Sequence, residues 1–487
     1  MAGFSPFVAT TTTENALPMN AFRWLSLAAV LTVLPLLLLY AYWHPLGTHE
    51  FDWFSNWGGK YNTMSWWQQQ LDWYTHTMGR YTSTALQSTA AHWYSLGTAR
   101  VVLLAVQLGL GFAIYGLVSV LGHSYSRGQR WGATAVILAL WVSQLSNPFD
   151  TLYRYSGVLT YQLGLIGWLL MVQFVLKKQW KLAGILAFLT VGCNEISLLQ
   201  TGIICGVGFF HGRVWRQNWA YWWWLAPAAV GAILALAAPG NFARAEIYAE
   251  TDVQLLRSIG LTLASSLFVW GSWLGSTALL LLVLLSGGLV RSPKLELPGP
   301  RLLICVLMGW LPLSFAPVIF MTQGSSLPEG IVDLQIIPMS ILLLVLVSKV
   351  NKVAIPKLGQ QALVLFIGVS WLFAGLKIDR TPYQQAISAI DRIQLTAIGG
   401  QAWQQLLLGH ANTYSASVEA QYQAFQLCAQ DTCSLPPLEK AKISFLYDPL
   451  YDRRIRPEGE PYFWINIPNR QQPITRKQSA KSPPSTE

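Results

Sequence analysis

Eleven apolar runs, separated by short polar segments, constrain the fold of this chain more than any other feature of its sequence. A helix needs roughly 20 apolar residues to cross a bilayer, and several of the runs approach this length. Only 11% of the 487 residues are charged, against about 25% in soluble domains. The pattern predicts an all-α polytopic membrane protein with about eleven transmembrane helices, at 22–43, 99–121, 132–147, 160–176, 182–193, 196–210, 219–237, 267–290, 302–320, 336–348 and 359–376.

Basic residues in the short loops predict how the chain crosses the membrane. Cytoplasmic loops are enriched in Lys and Arg, and five loops carry such residues. All five lie on one side if the N-terminus is cytoplasmic and 182–210 crosses twice. The polar N-terminal residues and the long first run favour a membrane anchor over a cleaved signal. The basic residues of these loops are Arg127, Arg130, Lys177, Lys178, Lys181, Arg213, Arg216, Arg291, Lys294, Arg301, Lys349, Lys352 and Lys357.

This topology divides the chain into segments with different environments. In the C-terminal part, the apolar spacing from Ile387 to Leu408 predicts a helix, and the runs 443–447 and 462–467 predict strands. The predicted segments are a cytoplasmic N-terminal segment 1–21, a transmembrane bundle 22–376 with a large outer loop 44–98, an outward-facing α/β domain 377–470, and a disordered tail 471–487.

Composition narrows the partners of the chain without identifying one. The net charge of +10 does not indicate nucleic acid, because the basic residues lie in loops and in the tail and not in a nucleic-acid-binding motif. The 23 Trp and 19 Tyr suit either interfacial aromatic belts in the lipid bilayer or platforms that stack on sugars. Cys428 and Cys433 could pair in an oxidising compartment.

Two acids directly after the first apolar run are candidate catalytic residues. Glu50 and Asp52 open the outer loop in the order His49-Glu50-Phe51-Asp52-Trp53. A carboxylate near a membrane surface can act as a general base or can bind a divalent cation such as Mg²⁺ or Mn²⁺. Acids in an ordinary solvated loop would show the same sequence pattern. The sequence therefore does not assign a cofactor.

Polar and aromatic residues near the outer ends of other runs form a second candidate group. The guanidinium of Arg80 suits a phosphate, or alternatively pairs with Asp72. Glu195 interrupts an apolar stretch, where an ionisable group is a functional hypothesis, although it equally suits a helix cap. The remaining candidates for substrate binding are Tyr81, Tyr153, Tyr161, Asn194, Asn241 and Arg244.

Taken together, these motifs resemble a family of bacterial multi-span proteins allied to the C-type (GT-C) lipid-linked-sugar glycosyltransferases. The matching pieces are Asp52-Trp53, Gly79-Arg80-Tyr81, Tyr153 to Tyr161, Asn194-Glu195, and Asn241 to Arg244.

The resemblance implies a GT-C-like fold in the bacterial inner membrane and an inverting transfer from a polyprenyl-phosphate-linked sugar. It implies a glycan, lipid or protein acceptor on the non-cytoplasmic face. The topology read from the basic loops places the C-terminal part on that same side, periplasmic or extracellular. It maps the first-loop acid of the family onto Asp52. Family members have adjacent acids here, whereas this chain has Glu50-Phe51-Asp52.

Two other classes of function remain alternatives to the enzyme. A transporter or flippase of a lipid-linked glycan would place charged residues within the spans of both halves of the chain. A non-catalytic scaffold for envelope assembly would use the C-terminal part to bind a partner. The predicted polar groups gather on one face, and this asymmetry favours an enzyme with its site at the outer mouth of the bundle.

Overall fold

The computed structural model is a mainly helical bundle. The predicted catalytic acids Glu50 and Asp52, the pair Cys428 and Cys433, and the predicted strands 443–447 and 462–467 lie outside the described residues. The described residues are 19–43, 64–92, 96–122, 125–145, 148–211, 222–248, 255–274, 299–321, 329–350, 357–372, 376–378, 393–395 and 398–427.

Each of the eleven predicted apolar runs coincides with a helix over at least part of its length. In chain order, the helices of the first half are α1 (Met19–Leu38, extended by a 3₁₀ turn Leu39–Tyr42), α2 (Trp66–His76), α3 (Tyr81–His92), α4 (Leu96–Leu121), α5 (Arg127–Ser143), α6 (Tyr155–Leu176), α7 (Trp180–Val191) and α8 (Glu195–His211). Those of the second half are α9 (Trp222–Leu236), α10 (Pro239–Tyr248), α11 (Leu255–Leu274), α12 (Pro300–Met321), α13 (Glu329–Leu334), α14 (Ile336–Val350), α15 (Lys357–Leu372), α16 (Ile398–Leu407) and α17 (His410–Leu427).

Within the described residues, four helical stretches are long and apolar enough to cross a membrane: Met19–Tyr42, Gly97–Leu121, Tyr155–Leu176 and Pro300–Phe320. Other apolar helices are shorter, which leaves the eleven crossings a prediction. The shorter ones are Trp180–Val191, Glu195–Val207, Trp223–Leu236, Leu256–Gly271, Ile331–Val347 and Gly359–Leu372.

The apolar stretch between 182 and 210 forms two helices, α7 and α8, which meet at Gly192–Asn194. The sequence left open whether Glu195 caps a helix, and the structure places it as the first residue of α8. On the other side of α7, the Lys177–Lys181 loop links it to α6. Lys178 has a φ of 58° there, a left-handed conformation that ends the helix sharply.

Packing between helices brings sequence-distant segments together in one core. α1 packs against α5 and α15, α6 lies between α4 and α7, and α12 contacts α8, α11 and α14. Large aromatic side chains fill the interior, and the buried rings of Trp168 and Trp310 meet edge to face with centroids 5.3 Å apart. Such pairs add about 0.5–1.5 kcal/mol beyond the area they bury.

The antiparallel pair α2–α3, called here the hairpin, covers one end of the bundle. It packs against α10 and against the first turns of α6. Trp66 Nε1 donates to Thr89 Oγ1 (3.0 Å) and Gln70 Nε2 donates to Ser88 Oγ (2.5 Å), and these bonds hold its two helices together. We call this end of the bundle the hairpin end.

A short strand pair replaces part of the helix predicted in the C-terminal segment. Strand β1 (Leu376–Ile378) pairs antiparallel with β2 (Ile393–Leu395), with Leu376 opposite Leu395. The expectation that Ile393 and Leu395 belong to a helix is therefore wrong, because the backbone ladder with β1 outweighs their helix-like spacing. Beyond it, Trp403 Nε1 of α16 donates to the carbonyl oxygen of Leu31 on α1 (2.8 Å).

Candidate functional site

Arg80 and Glu195 form a bonded ion pair at the hairpin end. Arg80 Nε lies 3.1 Å from each carboxylate oxygen of Glu195, and Arg80 Nη2 lies 2.8 Å from Oε2. The two side chains are only 14% and 24% exposed. The sequence offered Asp72 as an alternative partner for Arg80, and the structure pairs Asp72 with His76 at 3.3 Å.

The surroundings of the pair favour the charged form of Arg80. Burial acts to lower the pKa of Arg80, but the charge of Glu195, with a smaller contribution from Tyr161, outweighs burial and raises that pKa above its ordinary value. The Arg80 guanidinium lies 5.7 Å from the centroid of the Tyr161 ring, within the range of a cation–π contact. Glu195 occupies the first turn of α8, where the helix dipole favours a negative charge.

Asn194 fixes the start of α8 beside this pair. Its Oδ1 accepts from the backbone N–H of Ser197 (2.8 Å), an N-cap bond. Its Nδ2 donates to the carbonyl oxygen of Thr160 (2.7 Å). Thr160 lies in a π-helical stretch of α6, Val158–Gln162, and such bulges are frequent at functional sites.

Tyr81 anchors the hairpin to α7. Its hydroxyl donates to the carbonyl oxygen of Phe188 (2.6 Å), and its ring packs on that of Phe188 with centroids 5.1 Å apart. Burial raises the pKa of the Tyr81 hydroxyl. The turn is closed by a backbone bond from Thr82 N–H to Gly192 O (2.9 Å), so Tyr81 positions its neighbour Arg80.

Asn241 ties the hairpin turn to the corner between α9 and α10. Its Oδ1 accepts from the N–H of Gly79 (3.0 Å) and its Nδ2 donates to the carbonyl oxygen of Ala235 (2.7 Å). The turn approaches this corner so closely that a Cβ atom at Gly79 would overlap the carbonyl oxygen of Ala235. Both polar ends of the Asn241 amide therefore bond the backbone and hold the turn that carries Arg80.

Tyr153 makes its contacts with α1. Its hydroxyl donates to the carbonyl oxygen of Leu36 (2.8 Å), and its own carbonyl oxygen accepts from Trp43 Nε1 (2.7 Å). Tyr40 donates in return to the carbonyl oxygen of Leu152 (2.5 Å). These reciprocal bonds tie the end of α1 to the turn before α6.

The remaining predicted site residues stay predictions. Arg244 lies on α10, but its side chain is outside the described part of the structure, as are Glu50 and Asp52. Among the described residues, no group of three or more His, Cys, Asp or Glu side chains is arranged to hold a metal ion. A divalent cation bound through the first outer loop therefore stays a prediction.

Buried polar residues on α8 and at the turn between α13 and α14 extend the polar region inward from Asn194. Gln335 Oε1 accepts from Gln200 Nε2 (2.8 Å) and from Trp310 Nε1 (3.0 Å). Tyr161, Asn194, Gln200 and Gln335 line a cavity of about 10 Å³, close to the space that one water molecule needs.

The fully buried Asp333 accepts a bond from the Thr151 hydroxyl (2.9 Å). Sequence reasoning did not assign Gln200, Gln335 or Asp333 to the site. The signal that the sequence offered for these three residues was the position of a polar side chain next to or within an apolar run.

The long apolar helices define the class of the molecule as a helical membrane protein. In comparison with known proteins, the chain matches no family model, no curated protein and no solved structure.

Proposed function

We propose that this chain is an integral membrane glycosyltransferase that transfers a sugar from a polyprenyl-phosphate donor to an envelope acceptor. The proposal includes a GT-C-like fold with about eleven crossings in the bacterial inner membrane. It places the site at the hairpin end on the non-cytoplasmic face. The observation that carries it is the convergence of Arg80, Tyr161, Asn194 and Glu195, which come from three separate segments of the chain.

The ion pair changes the role that the sequence suggests for Arg80. A guanidinium bonded to Glu195 has most of its charge balanced, so it cannot by itself hold a lipid phosphate, which is repelled by the adjacent carboxylate. Arg80 also forms a side-chain hydrogen bond with Tyr161, so only part of its five N–H donors can serve a phosphate oxygen. In this proposal a second cation, Arg244, supplies the charge that phosphate binding needs.

Glu195 then becomes a candidate for acid–base chemistry beside Asp52. Its carboxylate is oriented by Arg80 and remains partly exposed, so an acceptor hydroxyl within hydrogen-bond reach could give up its proton there. Asp52 and Glu50 keep their proposed roles as base or metal ligand. Asn194 and Tyr161 shape the wall against which the sugar binds.

Transport of a lipid-linked glycan is the second candidate, and one observation favours it. Polar side chains continue into the bundle from Asn194 through Gln200 and Gln335. A transport path must admit its substrate, however, and the cavity among these groups has a volume of about 10 Å³. Close packing of these groups favours catalysis at the surface of the bundle.

The test uses the purified full-length protein with a panel of polyprenyl-phosphate-linked sugars in lipid vesicles. We expect consumption of one donor, with a large loss of turnover in Glu195→Gln and in Asp52→Asn. Asp72→Asn is the matched control, because the same chemical change in the hairpin affects a pair with the exposed His76.

Two results would count against the enzyme. If no donor is consumed while a labelled glycan lipid crosses the vesicle membrane, the transporter alternative is favoured. If neither donor consumption nor transport occurs and the variants behave as the parent protein, the scaffold alternative is favoured.

A further inference from the structure

An apolar groove runs between α1 and α4, with α5 as its floor. Its volume is about 520 Å³, which is within the range of about 300–1,000 Å³ for ligand pockets in proteins. Several of the side chains that line its walls are exposed, including Val30 (46%) and Phe112 (60%). The side chains that line its middle are Val30, Leu34, Leu108, Phe112, Ala135 and Leu138.

The groove is closed at the hairpin end. Tyr40, Gln107 and Leu152 line it there, and the bond from the Tyr40 hydroxyl to the Leu152 carbonyl oxygen joins two of them. Gln107 Nε2 donates to Gln162 Oε1 at 2.5 Å, so its polar end is turned to a partner in the core. The closed end therefore presents hydrocarbon and already bonded polar atoms.

At its other end the groove is open. Ser26, Gly128 and Gly132 line that end, and Gly128 is exposed, with no atom within 4 Å of the position a Cβ would take. The groove follows α1 from Ser26 to Tyr40, which at 1.5 Å per residue is about 21 Å. One acyl chain spans about half of the roughly 30 Å hydrocarbon core of a bilayer, so it fits within this length.

Two arginines lie next to the open end in the chain. Arg23 lies one turn before Ser26 on α1 and is exposed, and the exposed Arg127 immediately precedes Gly128. Trp131 lies beside them and stacks on Tyr115 with centroids 4.3 Å apart. A basic patch next to an apolar groove between membrane helices matches an anionic headgroup joined to a hydrocarbon chain.

We propose that this groove binds one acyl chain of an anionic glycerophospholipid, with the phosphate of the headgroup at Arg23 and Arg127. The closed end receives the tip of the chain, and the open end leaves the headgroup at the membrane surface. The site is separate from the Arg80–Glu195 pair at the hairpin end and does not depend on the proposed sugar transfer.

The test uses the full-length protein in phosphatidylcholine vesicles with a minor fraction of phosphatidylglycerol that carries a photoreactive acyl chain. We expect cross-links concentrated in peptides of α1, α4 and α5. In Val30→Trp combined with Ala135→Phe, whose larger side chains fill the groove, these cross-links should be lost. Ile233→Trp is the control, since Ile233 is 66% exposed on α9 and does not line the groove.

The headgroup is tested separately by charge removal. Arg23→Gln and Arg127→Gln should each lower the cross-linking yield about fivefold, and Arg301→Gln, an exposed arginine at the start of α12, should leave it unchanged. A photoreactive phosphatidylcholine should label the groove less than phosphatidylglycerol does.

Three results would overturn the proposal. They are cross-links spread evenly over all lipid-exposed helices, labelling that survives the filled groove, and the absence of lipid adducts from the peptides of α1, α4 and α5. The last result would be expected if a second copy of the chain, or another segment of this one, occupied the groove.

Discussion

Arg80 in the hairpin turn and Glu195 at the start of α8 are 115 residues apart in sequence and are joined by an Nη2–Oε2 contact of 2.8 Å. This pair fixes how the hairpin sits on the bundle and places a charged carboxylate beside Asn194. The proposed catalytic site depends on it, and so does the attachment of the hairpin.

Removing one member of this pair should destabilise the protein. Glu195→Gln leaves the poorly solvated guanidinium of Arg80 without its counter-charge, and loss of a hydrogen bond to a charged group costs about 1.5–3 kcal/mol. The measurement is the apparent Tm followed by tryptophan fluorescence in detergent.

His76→Gln is the control for this change, because it breaks a pair whose histidine is 72% exposed and should shift Tm little. Arg80→Gln combined with Glu195→Gln should cost less than the sum of the single changes. Additive losses would show that the two side chains do not interact.

Gly79→Ala should detach the hairpin turn from the corner between α9 and α10. A methyl group there would overlap the carbonyl oxygen of Ala235, and such overpacking costs about 1–3 kcal/mol. Limited proteolysis of the hairpin should become faster. Gly202→Ala is a matched control, because Gly202 lies in a helix with open space around its Cβ position, and it should not increase cleavage.

Asn241→Asp should break one of the two hydrogen bonds of the Asn241 side chain and keep the other. The bond from the Gly79 N–H can remain, but the donor to the Ala235 carbonyl oxygen is replaced by a repelling carboxylate oxygen. We expect a loss of about 1–3 kcal/mol, measured as a decrease in apparent Tm. An unchanged Tm would mean that the Ala235 bond contributes nothing to the corner.

Gln335→Leu should be more costly than Gln200→Leu. The Gln335 Oε1 atom accepts from both Gln200 and Trp310, so its removal leaves two buried donors unpaired, at about 1–3 kcal/mol for each group. Gln200→Leu leaves the Trp310 bond in place. Equal effects on the apparent Tm would contradict this assignment.

The predicted orientation can be tested with cysteines at two exposed positions. In a background with serine at all five native cysteines, Lys178→Cys should react with a membrane-impermeant maleimide only from the cytoplasmic side. His76→Cys should react only from the opposite side, because the hairpin is predicted to face outward. Labelling of both from one side would overturn the topology.

The sequence was most informative about local structure. Helix α1 over the first apolar run, and the junction of α7 and α8 at Asn194, follow from apolar length and from the polar residues that interrupt it. Basic residues also marked the Lys177–Lys181 turn. These features depend on neighbours within a few turns of chain, which a single sequence displays directly.

The tertiary structure decided which distant groups meet. Nothing in the spacing of Arg80 indicated Glu195 in preference to Asp72, and nothing indicated that both ends of the Asn241 amide bond the backbone. The sequence by itself determined an apolar, helical chain with polar candidates near the ends of its runs. Their partners were decided only by packing, because contacts between segments more than a hundred residues apart depend on how whole helices fit together.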